Sequence, residues 1–283
     1  MQEHFVQCLS PSGLHQMHYT EWGQRANPRI VICVHGLTRN CRDFDALARS
    51  LESHFRVVCP DIAGRGQSEW LADKQHYGLP QYLADINTLL ARLTADGPRD
   101  IRWVGTSMGG MIGMLFASLP GTPMRKLVLN DVGTLIPKAA LERIGKYVGK
   151  SPTFATLEEA NAYVRYVSAS FGPHTDAQWD HLTRQNAKQN ADGTWVMNYD
   201  PDIALPFQAG PIQDIELWNY YDRITCPTLL LRGADSDLLP KDTALAMTQR
   251  GAKAQLVEFA GIGHAPMLQG EDQIRVVRDF LLS

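Results

Sequence analysis

The chain's most constraining feature is a five-residue stretch, GTSMG at positions 105–109, together with the segments on either side of it. The apolar run 100–104 follows a turn signal at Gly97-Pro98 and predicts a buried strand. The apolar run 110–117 has the length of a helix. A serine between two glycines at such a strand-to-helix turn is typical of a nucleophile elbow, because the sharp turn lifts the hydroxyl of Ser107 clear of the sheet. Side chains in place of Gly105 or Gly109 would collide with a neighbouring strand or helix.

Strand-like and helical patterns alternate along most of the chain, as in a mostly parallel sheet built from β-α-β units. Phe5–Leu9 and Leu14–Trp22 predict an antiparallel hairpin, and Arg29–Val34 is an apolar run of the kind that is buried on both faces of a sheet. The remaining predicted elements are strands at 55–59, 101–104, 126–129, 227–231 and 254–259, and helices at 44–51, 81–93, 108–118, 243–249 and 273–282.

The alternation stops between residues 133 and 221. Three helical patterns, at 139–148, 157–168 and 176–189, follow one another there without a convincing strand between them. A structureless loop of this length is rare in a compact domain, so the segment predicts an inserted structure. We expect an α/β core formed by residues 1–133 and 222–283, with a helical cap at 134–221 inserted after the sixth strand.

Composition limits the classes of partner. The 283 residues carry a formal charge of −3 with no long Lys/Arg cluster, which argues against nucleic acid and against an anionic membrane surface. The longest apolar run, Met111–Leu119, is far shorter than the ~20 residues of a membrane helix, and residues 1–7 lack the features of a signal peptide. The five cysteines are an odd number without C-x-x-C spacing, which favours free thiols. These features predict a cytoplasmic protein, either a monomer or a homodimer.

An activated serine needs a base, and His264 is the candidate. It lies in the glycine-rich segment 260–266, directly after the last predicted strand, where a loop can pass over the nucleophile. The other histidines fall in the hairpin, in connections or in the cap. His15 and His18 would point to opposite faces of a strand, so they do not form a metal pair, and we expect no metal site.

The acid that would orient His264 has three candidates. Asp235 and Asp237 both follow the predicted strand 227–231, and one of them would be left to cap the next helix. Asp237 is favoured, because it is closer to the helix start at Pro240 and precedes apolar residues that would bury it. Asp131, just after the strand 126–129, is the third candidate, although a turn or cap-anchoring role suits it as well.

Two backbone N–H groups are expected to form an oxyanion hole. One belongs to Met108, at the positive end of its helix, and the other to Leu37, in the loop that follows the strand 29–34. Arg39 in the same loop would either bind an anionic group of the substrate or only brace the loop. Trp195 in the predicted cap would line an apolar pocket or belong to the cap core.

Four motifs in this chain order resemble those of the α/β-hydrolase fold superfamily, over essentially the full length of the chain. They are His35-Gly36, Asp61-x-x-Gly64-x-Gly66-x-Ser68, Gly105-x-Ser107-x-Gly109-Gly110 and Gly263-His264-x-Pro266. The resemblance implies an eight-stranded, mostly parallel sheet with helices on both faces, a helical lid after the sixth strand, a Ser–Asp–His triad and no cofactor. One departure concerns the acid loop: many relatives place a single Asp three residues after the strand-end glycine, whereas this chain has Ser236 there.

Within the superfamily, the chain looks most like the lid-bearing esterases and lactonases. Families with an aspartate nucleophile are disfavoured by Ser107. Meta-cleavage C–C hydrolases share the Ser-Met-Gly-Gly elbow, but their oxyanion loop is typically richer in glycine. We therefore expect a serine hydrolase that cleaves a carboxylic ester or lactone of a small molecule, with Ser107, His264 and Asp237 as its triad. The alternatives are C–C bond hydrolysis of a ring-cleavage diketone and a non-catalytic ligand receptor on the same scaffold.

Overall fold

The computed structural model describes residues 1–97, 99–208 and 210–283, so Pro98 of the predicted turn lies outside the described residues. One eight-stranded sheet forms the centre of the molecule, with the strand order β1-β2-β4-β3-β5-β6-β11-β12. Its strands are β1 (Gln2–Ser10), β2 (Gly13–Trp22), β3 (Arg29–Val34), β4 (Arg56–Pro60), β5 (Asp100–Thr106), β6 (Met124–Asn130), β11 (Thr228–Gly233) and β12 (Gln255–Phe259). The first two strands pair antiparallel and the last six run parallel, which confirms the predicted fold class.

Helices cover both faces of this sheet. The helices of the core are α1 (Asp45–Leu51), α2 (Leu79–Leu93), α3 (Met108–Ala117), α9 (Lys241–Gln249) and α10 (Glu271–Leu282). Alternate residues of β3 enter different apolar clusters: Ile30 and Ile32 pack on the side of α2 and α3, and Val31 and Cys33 pack on the side of α1 and α10. Burial on both faces explains why β3 is an unbroken apolar run rather than an alternating one.

Between β6 and β11 the chain leaves the sheet. This excursion contains α4 (Lys138–Gly145), α5 (Leu157–Val167), α6 (Asp176–Asn186), α7 (Leu205–Gln208) and α8 (Trp218–Tyr221), and we call residues 134–221 the cap. Two short antiparallel pairs also occur in it: β7 (Leu135–Ile136) with β10 (Ile215–Glu216), and β8 (Ala187–Gln189) with β9 (Trp195–Met197).

The prediction of a helix over 176–189 is too long. The helix α6 ends at Asn186, because Ala187 adopts extended backbone angles and residues 187–189 pair with β9. None of the helices in the described residues combines the length and the apolar character that crossing a bilayer requires.

The sheet order places the carboxyl ends of the parallel strands β3, β5, β6, β11 and β12 along one edge. The chain leaves β3 toward β4 on one side, and it enters β5 on the other side of β3. Such a reversal opens a crevice at the carboxyl ends of the strands, which is where ligands bind in open α/β sheets. The loops after β3, β5, β6 and β12 all reach this edge.

Candidate active site

Ser107 occupies the sharp turn between β5 and α3. Its backbone has φ +52° and ψ −115°, a conformation that non-glycine residues rarely adopt, and its N–H donates to Asn130 O at 2.9 Å. A Cβ on Gly105 would lie 2.3 Å from Gly109 O, and one on Gly109 would lie 2.0 Å from Val34 O. The flanking glycines therefore let the strand and the helix approach closely enough to hold Ser107 in this turn.

His264 connects Ser107 to a carboxylate. Its Nε2 lies 2.9 Å from Ser107 Oγ, and its Nδ1 lies 2.7 Å from Asp131 Oδ2. An ionised carboxylate only accepts hydrogen bonds, so Nδ1 carries the proton and Nε2 is free to accept the serine hydroxyl. The arrangement of hydroxyl, imidazole and carboxylate is the one that activates a serine for attack on an acyl carbon.

Asp131 is fully buried behind the imidazole, and its carboxylate accepts two further hydrogen bonds. Gly233 N–H donates to Oδ1 at 2.8 Å, and the Ser236 hydroxyl donates to Oδ2 at 2.6 Å. The backbone of Asp131 also has a positive φ of +52°. These contacts fix the carboxylate in one orientation, which in turn fixes the ring of His264.

The prediction that Asp237 holds His264 is wrong. The Asp237 carboxylate pairs with Arg143 through two hydrogen bonds, and its side chain is 48% exposed. The physical reason lies in the neighbouring Ser236, which is buried and points inward to Asp131 and to the backbone N–H groups of the next turn. With Ser236 inward, the side chains of Asp235 and Asp237 on either side of it are exposed.

Leu37 and Met108, the predicted oxyanion donors, both line the same cavity as Ser107. Buried side chains hold the Leu37 loop in place. His35 Nδ1 donates to Gly36 O at 2.7 Å and His35 Nε2 accepts from Ile62 N–H at 3.0 Å, while burial lowers the pKa of His35 and keeps it neutral. Arg65 donates to Leu37 O at 2.9 Å.

The location of Arg65 at the site was not predicted from the sequence. Its side chain is completely buried, and besides Leu37 O it contacts Ala63 O, the Tyr82 hydroxyl and the Met108 sulfur. A fully buried arginine is uncommon, but burial cannot be recognised from a Gly-Arg-Gly sequence that also suits an exposed turn. Arg65 joins the two segments that carry Leu37 and Met108.

Arg39 reaches the site and is braced at the same time. Its Nε and Nη2 form a bidentate pair with the buried Asp43, at 2.9 and 2.7 Å. Trp195 was expected either to line an apolar pocket or to belong to the cap core. It lies in β9, exchanges backbone hydrogen bonds with Phe154 inside the cap and packs against the apolar core, and it does not line either cavity at Ser107.

Two cavities meet at Ser107. The large cavity has a volume of about 560 Å³ and is mostly apolar; its lining includes Leu79, Met111, Val132, Ile203 and Phe207. The small cavity has a volume of about 80 Å³ and is more polar; its lining includes Arg39, Asp43, Arg143, Tyr147, Ser170 and His264. The space over the serine therefore has a larger, more apolar part and a smaller, more polar part.

The cap also holds the loop that carries His264. The Ser170 hydroxyl donates to His264 O at 2.6 Å, and Gly263 N–H donates to Ser170 O at 2.7 Å. A Cβ on Gly263 would approach Ser170 to 3.0 Å. The imidazole of His264 is thus positioned by the core through Asp131, and its loop is held by the cap through Ser170.

Two buried groups of side chains have the donor atoms that a metal ion would need: Cys8, His15 and Asp85, and His18, Cys41 and Asp61. Each carboxylate already accepts hydrogen bonds. Asp61 accepts from His18 Nδ1 at 2.8 Å, from Cys41 N–H and from Gln67 N–H, and although burial alone would raise the pKa of Asp61, these contacts lower it. Asp61 thereby ties the hairpin to the loops around the site.

Known proteins resemble this chain over nearly its full length, including the segments that form the site. A family model described as alpha/beta hydrolase fold matches residues 29–271. The chain is 49% identical, over 98% of its length and 96% of the relative, to the 3-hydroxybutyrate-oligomer hydrolase of Cupriavidus necator. A crystal structure of a Rickettsia typhi protein aligns with a TM-score of 0.92 at 32% identity, covering 100% of this chain and 99% of the other. An alpha/beta hydrolase from Novosphingobium aromaticivorans aligns with a TM-score of 0.87 at 34% identity, over 99% and 98% of the two chains.

Proposed function

Because the chain belongs to the α/β-hydrolase fold family and is an enzyme, we propose that it is a serine hydrolase of short linear oligoesters of 3-hydroxybutyrate. The observation that carries the reaction type is the continuous hydrogen-bond relay from Ser107 through His264 to Asp131. The identity of 49% with the Cupriavidus necator enzyme supports the substrate class.

In the proposed mechanism, Ser107 Oγ attacks the ester carbonyl carbon while His264 Nε2 takes up the hydroxyl proton. Asp131 holds the ring through Nδ1–H and stabilises the imidazolium. The oxyanion of the tetrahedral intermediate accepts hydrogen bonds from Leu37 N–H and Met108 N–H, and the latter lies at the positive end of α3.

Collapse of the intermediate breaks the C–O bond and leaves an acyl-enzyme, and His264 passes its proton to the departing alkoxide. Water then attacks the acyl-enzyme, with His264 again as the base, and releases the acid and free Ser107. The large apolar cavity that Ser107 borders offers room for the acyl chain.

The test is the hydrolysis of a linear 3-hydroxybutyrate trimer by the purified protein and by Ser107→Ala, followed by chromatography of the acids. We expect the wild-type protein to release monomer and dimer, and the variant to lose at least about a thousandfold in kcat. A ring-fission diketone serves as comparison. Efficient cleavage of the diketone without cleavage of the trimer would contradict the proposal, and so would undiminished trimer turnover by Ser107→Ala.

A further inference from the structure

The two cavities differ in their relation to His264. Both border Ser107, Leu37 and Ile144, but within the part of the chain that the structure describes the imidazole lines only the small cavity. In ester cleavage the histidine must deliver its proton to the leaving oxygen, so the alcohol part of the substrate has to lie on the histidine's side of the serine. The small cavity is therefore the place for the leaving group, and the large cavity is the place for the acyl group.

The small cavity presents two arginines. Arg39 forms hydrogen bonds from Nε and Nη2 to Asp43, and in the described residues its Nη1 has no hydrogen-bond partner. Arg143 forms hydrogen bonds from Nε and Nη2 to Asp237, and its side chain also lies within hydrogen-bonding reach of the Tyr147 hydroxyl. Tyr147 lines the same space, and burial raises the pKa of its hydroxyl so that it remains a donor. Guanidinium groups and a phenolic hydroxyl are donors that bind carboxylates.

The small cavity also adjoins a wider groove on the outside of the cap. Arg143, Tyr147, Val167 and Ser170 line both spaces. The cations of the two spaces are Arg39, Arg143, Lys146 and Lys150, and the carboxylates are Asp43, Asp235 and Asp237. With one more cation than carboxylates, this route favours the passage of an anion toward or away from the serine.

We propose that the small cavity is a carboxylate subsite that binds the terminal 3-hydroxyacid unit as the leaving group, so that the enzyme removes one unit at a time from the carboxyl end of the oligomer. This inference rests on the proposed function. In such a unit only four covalent bonds, spanning about 5 Å, separate the scissile carbonyl carbon from the carboxylate carbon. An anion at that distance from the acyl carbon falls within the small cavity, which borders both Ser107 and His264.

The bond changes are those of ordinary acyl transfer. The bond between Ser107 Oγ and the acyl carbon forms, the bond between that carbon and the ester oxygen breaks, and the serine proton travels through His264 to the released hydroxyl. The carboxylate is bound and not transformed. Water then completes the cycle and yields an oligomer one unit shorter, whose new carboxylate can enter the small cavity in the next round.

The decisive experiment uses the wild-type protein and a linear 3-hydroxybutyrate trimer with ¹³C in its carboxyl-terminal unit. The products are identified by mass spectrometry at low conversion. We expect labelled monomer and unlabelled dimer. Unlabelled monomer with labelled dimer, or an even mixture of the two patterns, would overturn the inference while leaving serine ester hydrolysis intact. Absence of turnover with every ester would instead overturn the proposed function and the inference together.

A second measurement compares the trimer acid with its methyl ester. We expect kcat/KM to be about tenfold or more higher for the acid, through KM, because only the acid offers a charge-assisted hydrogen-bond acceptor to Arg39 and Arg143. Arg143→Gln should reduce this preference for the acid. If Arg143 has only a structural role, the substitution would lower kcat/KM equally for the acid and for the methyl ester, and that result would count against the subsite.

The matched control is Arg278→Gln. Arg278 is also paired with a carboxylate, Glu271 at 2.9 Å, but it lies on α10, whose buried residues pack with α1 and not in the apolar cluster that borders the large cavity. We expect this variant to retain the wild-type preference for the acid. If the acid and the methyl ester are turned over equally well by the wild-type protein, the carboxylate subsite is refuted.

Discussion

At the scale of single residues, the orientation of His264 depends on which carboxylate its imidazole faces. Asp131 is fully buried and accepts hydrogen bonds from His264, Gly233 and Ser236, so it has no freedom to turn away. Asp237 is half exposed and neutralises Arg143. Only the first of these environments both orients an imidazole and favours the positive charge that develops on it.

Exchanging each carboxylate for an amide tests this assignment. Asp131→Asn should lower kcat for p-nitrophenyl butyrate by a factor on the order of 10³ to 10⁴, because the amide no longer selects the tautomer with the proton on Nδ1. Asp237→Asn and Asp235→Asn should remain within about threefold of the wild type. A large loss in Asp237→Asn with an active Asp131→Asn would reverse the assignment.

The sequence places both carboxylates at the same edge of the sheet but cannot choose between them. β6 and β11 are adjacent, with Leu231 opposite Asn130, so the residues that follow both strands converge. The choice is made by Ser236, which takes the inward position of its turn. That direction depends on the backbone path of one turn, which a short polar sequence does not specify. The presence of serine where many relatives carry the acid was the one available signal.

Burial of His35 makes a prediction for stability. The folded state lowers the pKa of this imidazole, whereas in the unfolded chain it titrates near 6.5. Above about pH 6.5 the imidazole is neutral in both the folded and the unfolded state. Below about pH 6.5 the unfolded chain binds a proton that the folded state does not bind. The free energy of unfolding therefore falls by up to about 1.4 kcal/mol per pH unit as the pH is lowered. Urea unfolding at pH 7.5, 6.5 and 5.5 should therefore show a steeper loss for the wild type than for His35→Gln. Equal slopes would contradict the assignment of a neutral, buried imidazole.

At the scale of secondary structure elements, the close approach of α3 to β3 and β5 determines where the serine lies. Gly109 contacts the end of β3, and its carbonyl also accepts a hydrogen bond from Trp103 Nε1 at 3.0 Å. Steric reasoning from the sequence predicted the need for glycine here, because it follows from the turn itself. The end of α6 was not predictable in the same way, because the pairing of residues 187–189 with β9 is a tertiary contact.

Alanine substitutions at two helical glycines test this packing. Gly109→Ala should lower the free energy of unfolding by about 3 kcal/mol or more, since the new methyl group would lie 2.0 Å from Val34 O. Gly145→Ala in α4 is the control, because the nearest atom there is 4.0 Å away; stability should stay unchanged or rise by up to about 1 kcal/mol. Similar effects of both substitutions in thermal or urea unfolding would argue against a packing constraint at Gly109.

At the scale of the whole molecule, the core supplies the reactive groups and the cap divides the space above them. The alternating pattern of the sequence predicted the sheet and the place of the helical excursion, because both depend on local periodicity. The division into a more apolar and a more polar cavity was not predictable, since it depends on how α4, α5 and residues 203–207 and 210–215 pack over Ser107.

Filling the large cavity should change the preference for acyl chains. Met111 on α3 lines this cavity, and Met111→Trp should reduce kcat/KM for p-nitrophenyl octanoate at least about tenfold more than for p-nitrophenyl acetate, because the longer acyl chain needs the lost space. Leu245→Trp, on the exposed side of α9, is the matched control and should preserve the wild-type ratio. An equal loss for both esters in Met111→Trp would mean that the acyl chain lies elsewhere.

The central claim is that Ser107 forms a covalent acyl-enzyme. A fluorophosphonate reacts with a serine that is activated in this way, so intact-protein and peptide mass spectrometry after labelling test the claim most directly. We expect one adduct per chain, located on the peptide that carries Ser107, absent from Ser107→Ala and strongly reduced in Asp131→Asn. An adduct on another residue, or an unlabelled Ser107 in a protein that still hydrolyses esters, would contradict it.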